Sequence, residues 1–268
     1  MSASPDSGSG NPANAAAEAA TDAAFANPLG SLSWTLPAAD AGSATVDDAA
    51  RWPLAADVAA SLSGAGPRPS RQLLSKGELL YHHGDAASWA FLVEAGLVAL
   101  SMAARPGRER IIGLAGPGDL VGIHNSGQSH YLDSATALSQ EVSVFRVAAA
   151  DRADSGSHYS ELLNEASLLH LQRLTDQLED TELPVPARLA RTFLRLAERF
   201  GQSNDSGATR LTLPLTHDTL AAMVGAARET TSTTVQQLRD LGLVTGTRGR
   251  YVVQRTALQE FATQAAMA

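Results

Sequence analysis

Hydrophobic and polar positions along the chain change rhythm more than once. From Arg71 to Val147, short apolar runs (RQLLSKGELLYHHGD, WAFLVEAGLVALSM, ERIIGLAGPGDLVG, EVSVFRV) are punctuated by glycines at 77, 84, 96, 107, 113, 116, 118 and 122. Short runs closed by turn residues are strand, turn, strand material, and this spacing predicts a small antiparallel barrel or jelly roll. The eight-strand version of that architecture encloses a small cavity.

From Tyr159 to about Thr181 the period becomes helical, with Leu163, Ser167, Leu171, Leu174 and Leu178 recurring every three or four residues. Such a stripe has two uses. It can form a parallel dimer seam, which the heptad-like set favours, or it can be buried against the helix's own barrel. Pro184 and Pro186 end this helix, and Ala187 to Phe200 begins another with Leu189, Phe193, Leu196 and Ala197 facing inward.

Leu211 to Leu213 reads as a short strand before Pro214. Leu215 to Val244, LTHDTLAAMVGAARETTSTTVQQLRDLGLV, then reads as two short helices around a glycine turn. Thr216 can cap the first helix, whose apolar face is Leu220, Ala221 and Val224, and Gly225 supplies the turn. Ala226 or Ala227 occupies the cap of the second, where a missing hydroxyl costs roughly 1 kcal/mol. Val235 and Leu238 tie that helix to a core and leave Arg228, Glu229, Thr230, Ser232 and Thr233 for solvent or DNA. After Leu243 and Val244, TGTRGRYVV predicts a two-strand wing around Gly249, with Arg248 and Arg250 placed to touch phosphates. A short helix opening on Arg and Glu fits the major groove, so this stretch points to transcription regulation rather than catalysis.

Composition sharpens that picture. Residues 1–47 are rich in Ala, Ser, Pro and Gly without a period and read as a disordered tail, with DDAARWPLAADVAASL (47–62) as a short amphipathic helix. The formal net charge is −8, yet from Pro184 to the end 10 arginines face 6 acidic residues, whereas the preceding residues carry 10 basic and 22 acidic groups. The basic excess coincides with the helix-turn-helix, as phosphate contact requires. The chain has no cysteine, which excludes a disulfide scaffold, a thiolate zinc site and a cysteine-ligated iron-sulfur cluster. No stretch is apolar enough to span a bilayer and the N-terminus lacks the pattern of a secretory signal, so a cytoplasmic protein without membrane association is expected. There is no HExxH, CxxC or P-loop, and no catalytic residue or metal ligand set is assigned.

The motifs KGELLYHHGD (76–85), FLVEAGLVAL (91–100), GPGDLVG (116–122) and VGAARETTSTTVQQLRDLGLV (224–244) together resemble the Crp/Fnr family of bacterial transcription regulators, the cyclic-nucleotide receptor and fumarate/nitrate-reduction group. The likeness extends over about residues 50–262. It implies an α+β fold: a cyclic-nucleotide-binding-type β jelly roll (48–150), a long dimerisation helix (151–183) carrying Leu163, Leu171, Leu174 and Leu178, and a C-terminal winged helix-turn-helix (184–268). It also implies a homodimer on a palindromic operator in double-stranded DNA, and leaves contact with RNA polymerase and a small-molecule effector open.

Arg228 and Glu229 match helix positions that members use to read bases, while Thr233 stands where many place a further Arg. A guanidinium suits the N7 and O6 acceptors of guanine, and a carboxylate can accept from N4 of cytosine. Arg228 could instead contact a phosphate or form a surface ion pair, and Glu229 could hold Arg228 in place or simply favour the helix N-terminus. Nucleotide-binding members present a Glu for the ribose and an Arg followed by Ser or Thr for the cyclic phosphate. Here the nearest matches are Asp119, His130 and Tyr131, and no Arg occurs between Arg110 and Arg146. A neutral His cannot replace a bidentate guanidinium, so the expected effector is something other than cyclic AMP. The alternative is an effector-independent regulator whose barrel serves dimerisation and polymerase contact. The cofactor stays unknown: His82, His83, His124 and His130 could ligate haem, which some members bind, or a metal, but no spacing selects one of them.

Overall fold

A computed structural model of the protein describes residues 70–105, 108–123, 130–148, 157–203, 208–247 and 249–267. The expected tail (1–47), the 47–62 helix, His124 and Arg248 lie outside the described residues.

Among the described residues, eight strands precede a long helix: β1 (Ser70–Ser75), β2 (Leu79–Tyr81), β3 (Trp89–Ala95), β4 (Val98–Arg105), β5 (Arg108–Ala115), β6 (Leu120–Val121), β7 (Ser134–Ala137) and β8 (Glu141–Ala148). They form two antiparallel four-stranded sheets, in the orders β1-β8-β3-β6 and β2-β7-β4-β5. This is the jelly roll that the glycine-punctuated runs predict. Side-chain alternation divides each strand between two environments. In β3, Phe91 and Val93 face the barrel interior with Val98, Val142 and Val144, while Ala90 and Leu92 face outward.

Helix α1 (Ser157–Thr181) lies across that outward face, packing Leu163 and Ala166 on Ala90, Leu92 and Leu120. Leu174 packs on the interior cluster. Leu171 and Leu178 instead stay 61% and 73% exposed, together with Leu168 at 67%. The four leucines expected on a single stripe are therefore split between two faces of α1, because the helix carries apolar residues on both.

Helix α2 (Val185–Phe200) starts one residue after Pro184 and buries Leu189, Phe193 and Leu196, as the inward set predicts. Helices α3 (His217–Val224) and α4 (Arg228–Asp240) follow strands β9 (Gln202–Ser203) and β10 (Ala208–Thr212). The wing, β11 (Val244–Thr247) and β12 (Arg250–Gln254), is half of a four-stranded sheet ordered β11-β12-β10-β9. A final helix, α5 (Arg255–Met267), packs on α2 and buries Leu258 and Ala262. One continuous core joins Leu97, Ala99 and Leu114 of the barrel to Leu189, Phe193, Leu215, Leu220 and Val235 of the C-terminal part, so the two halves share apolar packing.

Candidate nucleic-acid interface

The geometry of the two short helices follows from their ends. Thr216 sits in an extended conformation before α3, and its hydroxyl accepts from Thr219 N–H at 3.0 Å. Gly225 closes α3 in the left-handed region, at φ 64°, where a side chain would be strained. Ala227 caps α4 with no side-chain hydrogen bond, so the first N–H groups of that helix point outward without a local acceptor. Thr231, Thr234, Val235 and Leu238 are buried and fix which way α4 faces.

That orientation exposes Arg228, Glu229, Thr230 and Thr233 together. Arg228 opens the helix, where the positive end of the backbone dipole disfavours a cation. Asp218 on α3 offsets this: its Oδ1 lies 3.4 Å from Arg228 Nε. Ser232 is half-buried, and its hydroxyl shares a 2.8 Å hydrogen bond with His217 Nδ1. Thr233 donates back to the Glu229 carbonyl at 3.0 Å. Arg250 is exposed at the start of β12. The wing turn is held against the entry to α3, with Leu213 N–H donating to the Gly249 carbonyl at 2.8 Å. A Cβ on Gly249 would lie 2.1 Å from Leu213 O, so only glycine fits this turn. His217 and Asp218 are the residues that sequence reasoning missed. Their signal was a polar pair directly after the Thr216 cap.

The expected effector residues are not gathered into one site. Asp119 faces the C-terminal half: it accepts from Gly116 N–H at 2.7 Å, pairs with Arg199 of α2 and lies 3.9 Å from Arg173 of α1. His130 is exposed and bridges to Ala86. Tyr131 is buried, donates to the Trp89 carbonyl at 2.8 Å and stacks on Tyr81 with ring centroids 4.1 Å apart. Among the described residues, no group of three His, Cys, Asp or Glu side chains converges to hold a metal.

A cavity of about 200 Å³ does lie between the barrel and α1, bordered by Tyr81, Asp133, Ser167, His170, Arg173 and Leu174. Its chemistry is set by Asp133, only 6% exposed, which accepts from Tyr81 O–H at 2.9 Å. The Tyr81 oxygen in turn accepts from Gly122 N–H at 2.9 Å. Burial raises the Asp133 carboxyl above the usual carboxylate range, and burial together with Asp133 pushes the Tyr81 hydroxyl well above its ordinary value.

Residues 71–153 match the cyclic nucleotide-binding domain, and residues 187–261 match the Crp-like helix-turn-helix domain. The chain is 31% identical over 163 residues to the CRP-like cAMP-activated global transcriptional regulator of Mycobacterium tuberculosis, covering 58% of this chain and 70% of that protein. It is 32% identical over 187 residues to the regulatory protein CysR of Synechococcus elongatus, covering 68% and 82%. The protein belongs to the Crp/Fnr family of bacterial transcription regulators. Its fold agrees: FixK2 from Bradyrhizobium japonicum superposes with a TM-score of 0.62 at 21% identity, over 72% of this chain and 96% of that one. Members of the Crp/Fnr family are DNA-binding regulators rather than catalysts, and bind DNA as dimers through the helix-turn-helix. Among the described residues, no helix is long and apolar enough to cross a membrane.

Proposed function

We propose that this Crp/Fnr protein is a homodimer that reads a palindromic operator, with Arg228 and Glu229 of each α4 reading base edges. Thr230, Ser232, Thr233, Arg250 and Arg248 would contact the backbone or adjoining bases. The reading is carried by the exposed opening turn of α4, where Arg228 stands clear of the core with Glu229 beside it. A two-fold pair of such helices enters successive major grooves with centres about 34 Å apart. Arg228→Ala is expected to weaken operator binding by about 1–3 kcal/mol while leaving random duplex nearly unaffected. Equal losses on operator and random duplex would reassign Arg228 to the phosphate backbone.

The effector in this proposal is not cyclic AMP. Supporting this, the barrel strands face the cavity with the buried carboxylate of Asp133, which opposes a phosphate, and the one arginine on its border, Arg173, comes from α1 and not from the loop where nucleotide-binding members carry theirs. His130 and Tyr131 offer no fixed guanidinium in its place. A second reading, regulation without an effector and with the barrel serving dimerisation and polymerase contact, is favoured by one observation. Tyr81 lies between Phe91 and Tyr131 in an aromatic stack within the barrel, with centroids at 5.8 and 4.1 Å. Operator affinity measured with and without cyclic AMP, cyclic GMP and haem separates these readings. A gain with cyclic AMP sinks the first of them.

A further inference from the structure

The side chain of Arg173 on α1 is 15% exposed. A largely buried guanidinium gains from an anion or a set of acceptors. Its sole ion-pair partner among the described residues is Asp119 Oδ2, at 3.9 Å, beyond hydrogen-bond reach. That oxygen is already taken by Gly116 N–H and by Arg199. The Arg173 stem lies over Gly113, where a Cβ would meet Arg173 Cδ at 2.8 Å. Burial, and then the neighbouring charge of Arg199, lower the proton affinity of the guanidinium.

Arg173 also borders a second cavity, of about 370 Å³, where the barrel, α1 and the DNA-binding part meet. Its apolar wall comes from Ile112 and Leu114 of β5, Leu169 of α1, Leu196 and Phe200 of α2, and Met223 of α3. The other two arginines on its rim are engaged, Arg195 with Asp180 and Arg199 with Asp119. Arg173 interacts with the charges of Asp119 and Asp133 but has no carboxylate within hydrogen-bond reach among the described residues, which distinguishes it from the other two. Asp176, one turn along α1, supplies an acceptor on the same rim.

We propose that this interdomain cavity binds a small organic acid, whose carboxylate or phosphate head pairs with Arg173 and whose compact apolar body lies against Leu169, Leu196 and Met223. The volume falls within the range of small-molecule sites, and a few fixed polar groups in an apolar wall are their usual make-up. A hydroxyl or amino group on the ligand would donate to Asp176. Because the walls come from β5, α1, α2 and α3, occupancy would favour one disposition of the DNA-binding part against the barrel and so shift operator affinity by its preference for that state. Arg173 borders both cavities, but the apolar wall of this one is its own, and the proposal does not depend on which bases Arg228 reads.

Thermal unfolding of the full-length protein tests this without DNA. Inorganic phosphate and succinate serve as probes of the two head groups, each at ionic strength matched with sodium chloride. One or both should raise Tm saturably. The rise should vanish in Arg173→Gln and in Leu169→Trp, which fills the interdomain cavity, and persist in Leu132→Trp, which obstructs only the barrel-side one. If Arg173→Gln does not fold, Arg173→Lys decides in its place: it keeps the charge, loses the planar fork and should weaken probe binding at least tenfold. No saturable rise with either probe overturns the proposal. So does a rise that survives both Leu169→Trp and the Arg173 variant, or one abolished by Leu132→Trp alone.

Discussion

Asp218 Oδ1 and Arg228 Nε lie 3.4 Å apart across the turn between α3 and α4, with the side chains 67% and 65% exposed. An ion pair this open contributes roughly 0–1 kcal/mol to folding, so its use has to be sought elsewhere than in stability. If Arg228 reads bases as proposed, a carboxylate beside it would repel phosphates and hold the guanidinium toward the groove floor. Asp218→Asn is therefore expected to leave the unfolding midpoint nearly unchanged, to raise affinity for random duplex several-fold and to lower the ratio of operator to random binding. Fluorescence anisotropy on the two duplexes checks this. A ratio that stays constant would make the pair incidental.

The bare cap of α4 gives a stability prediction. Ala227 has φ −70° and ψ 149°, the extended geometry of an N-cap, so a serine fits without strain. Its hydroxyl would accept one of the outward N–H groups that open α4. Ala227→Ser should stabilise the protein by about 1 kcal/mol, and Thr216→Ala, which removes the existing cap of α3, should cost a similar amount. Both should appear as shifts in the urea midpoint at unchanged slope.

Thr216, Gly225 and Ala227 were legible from the sequence because capping and turn chemistry are local: each acts within about four residues of itself. Most strands of the barrel were legible for the same reason, lying in short apolar runs punctuated by glycines, whereas β7, with the sequence SATA, lay outside those runs. The misphased part was α1. With Leu163 and Ala166 on one side and Leu168, Leu171 and Leu178 on another, a period near three and a half selects residues from both faces, and only the position of the barrel tells them apart. Asp119 was misread because its partner Arg199 is 80 residues away on α2, a contact no local pattern encodes. Helix α5 escaped because only Leu258 and Ala262 of its thirteen residues are buried, too few to make a stripe.

Asp133 gives a pH dependence with a definite sign. Its carboxyl is raised above the ordinary aspartate value, chiefly by burial, so the folded protein holds this proton to higher pH than the unfolded chain does. The stability it contributes is complete below the ordinary aspartate pKa of about 3.9 and is lost as pH rises to the higher folded value. At neutral pH the buried charge is a net cost. Asp133→Asn keeps an acceptor for Tyr81 O–H and removes that charge. The variant should match the parent in mildly acidic buffer and exceed it at pH 7. Urea titrations at two pH values suffice, and a variant less stable than the parent at both would show that the carboxylate is needed as an anion.

The exposed side of α1 yields the last prediction. Leu168, Leu171, Thr175 and Leu178 recur at intervals of three, four and three, which is the heptad spacing of a two-stranded seam, and the three leucines are 67%, 61% and 73% exposed. Burying one leucine contributes about 1.5–3 kcal/mol, and two-fold symmetry counts each substitution twice, so Leu171→Glu should cost the dimer about 3–6 kcal/mol. That is a rise of more than a hundredfold in the dissociation constant, readable by sedimentation at micromolar protein. Leu163→Ala is the informative partner, since Leu163 packs on Leu92 and Leu120 of its own barrel. It should lower Tm and leave the dimer intact. If instead Leu163→Ala dissociates the protein and Leu171→Glu does not, the seam runs along the other face of α1, and the barrel contacts there must open when the subunits pair.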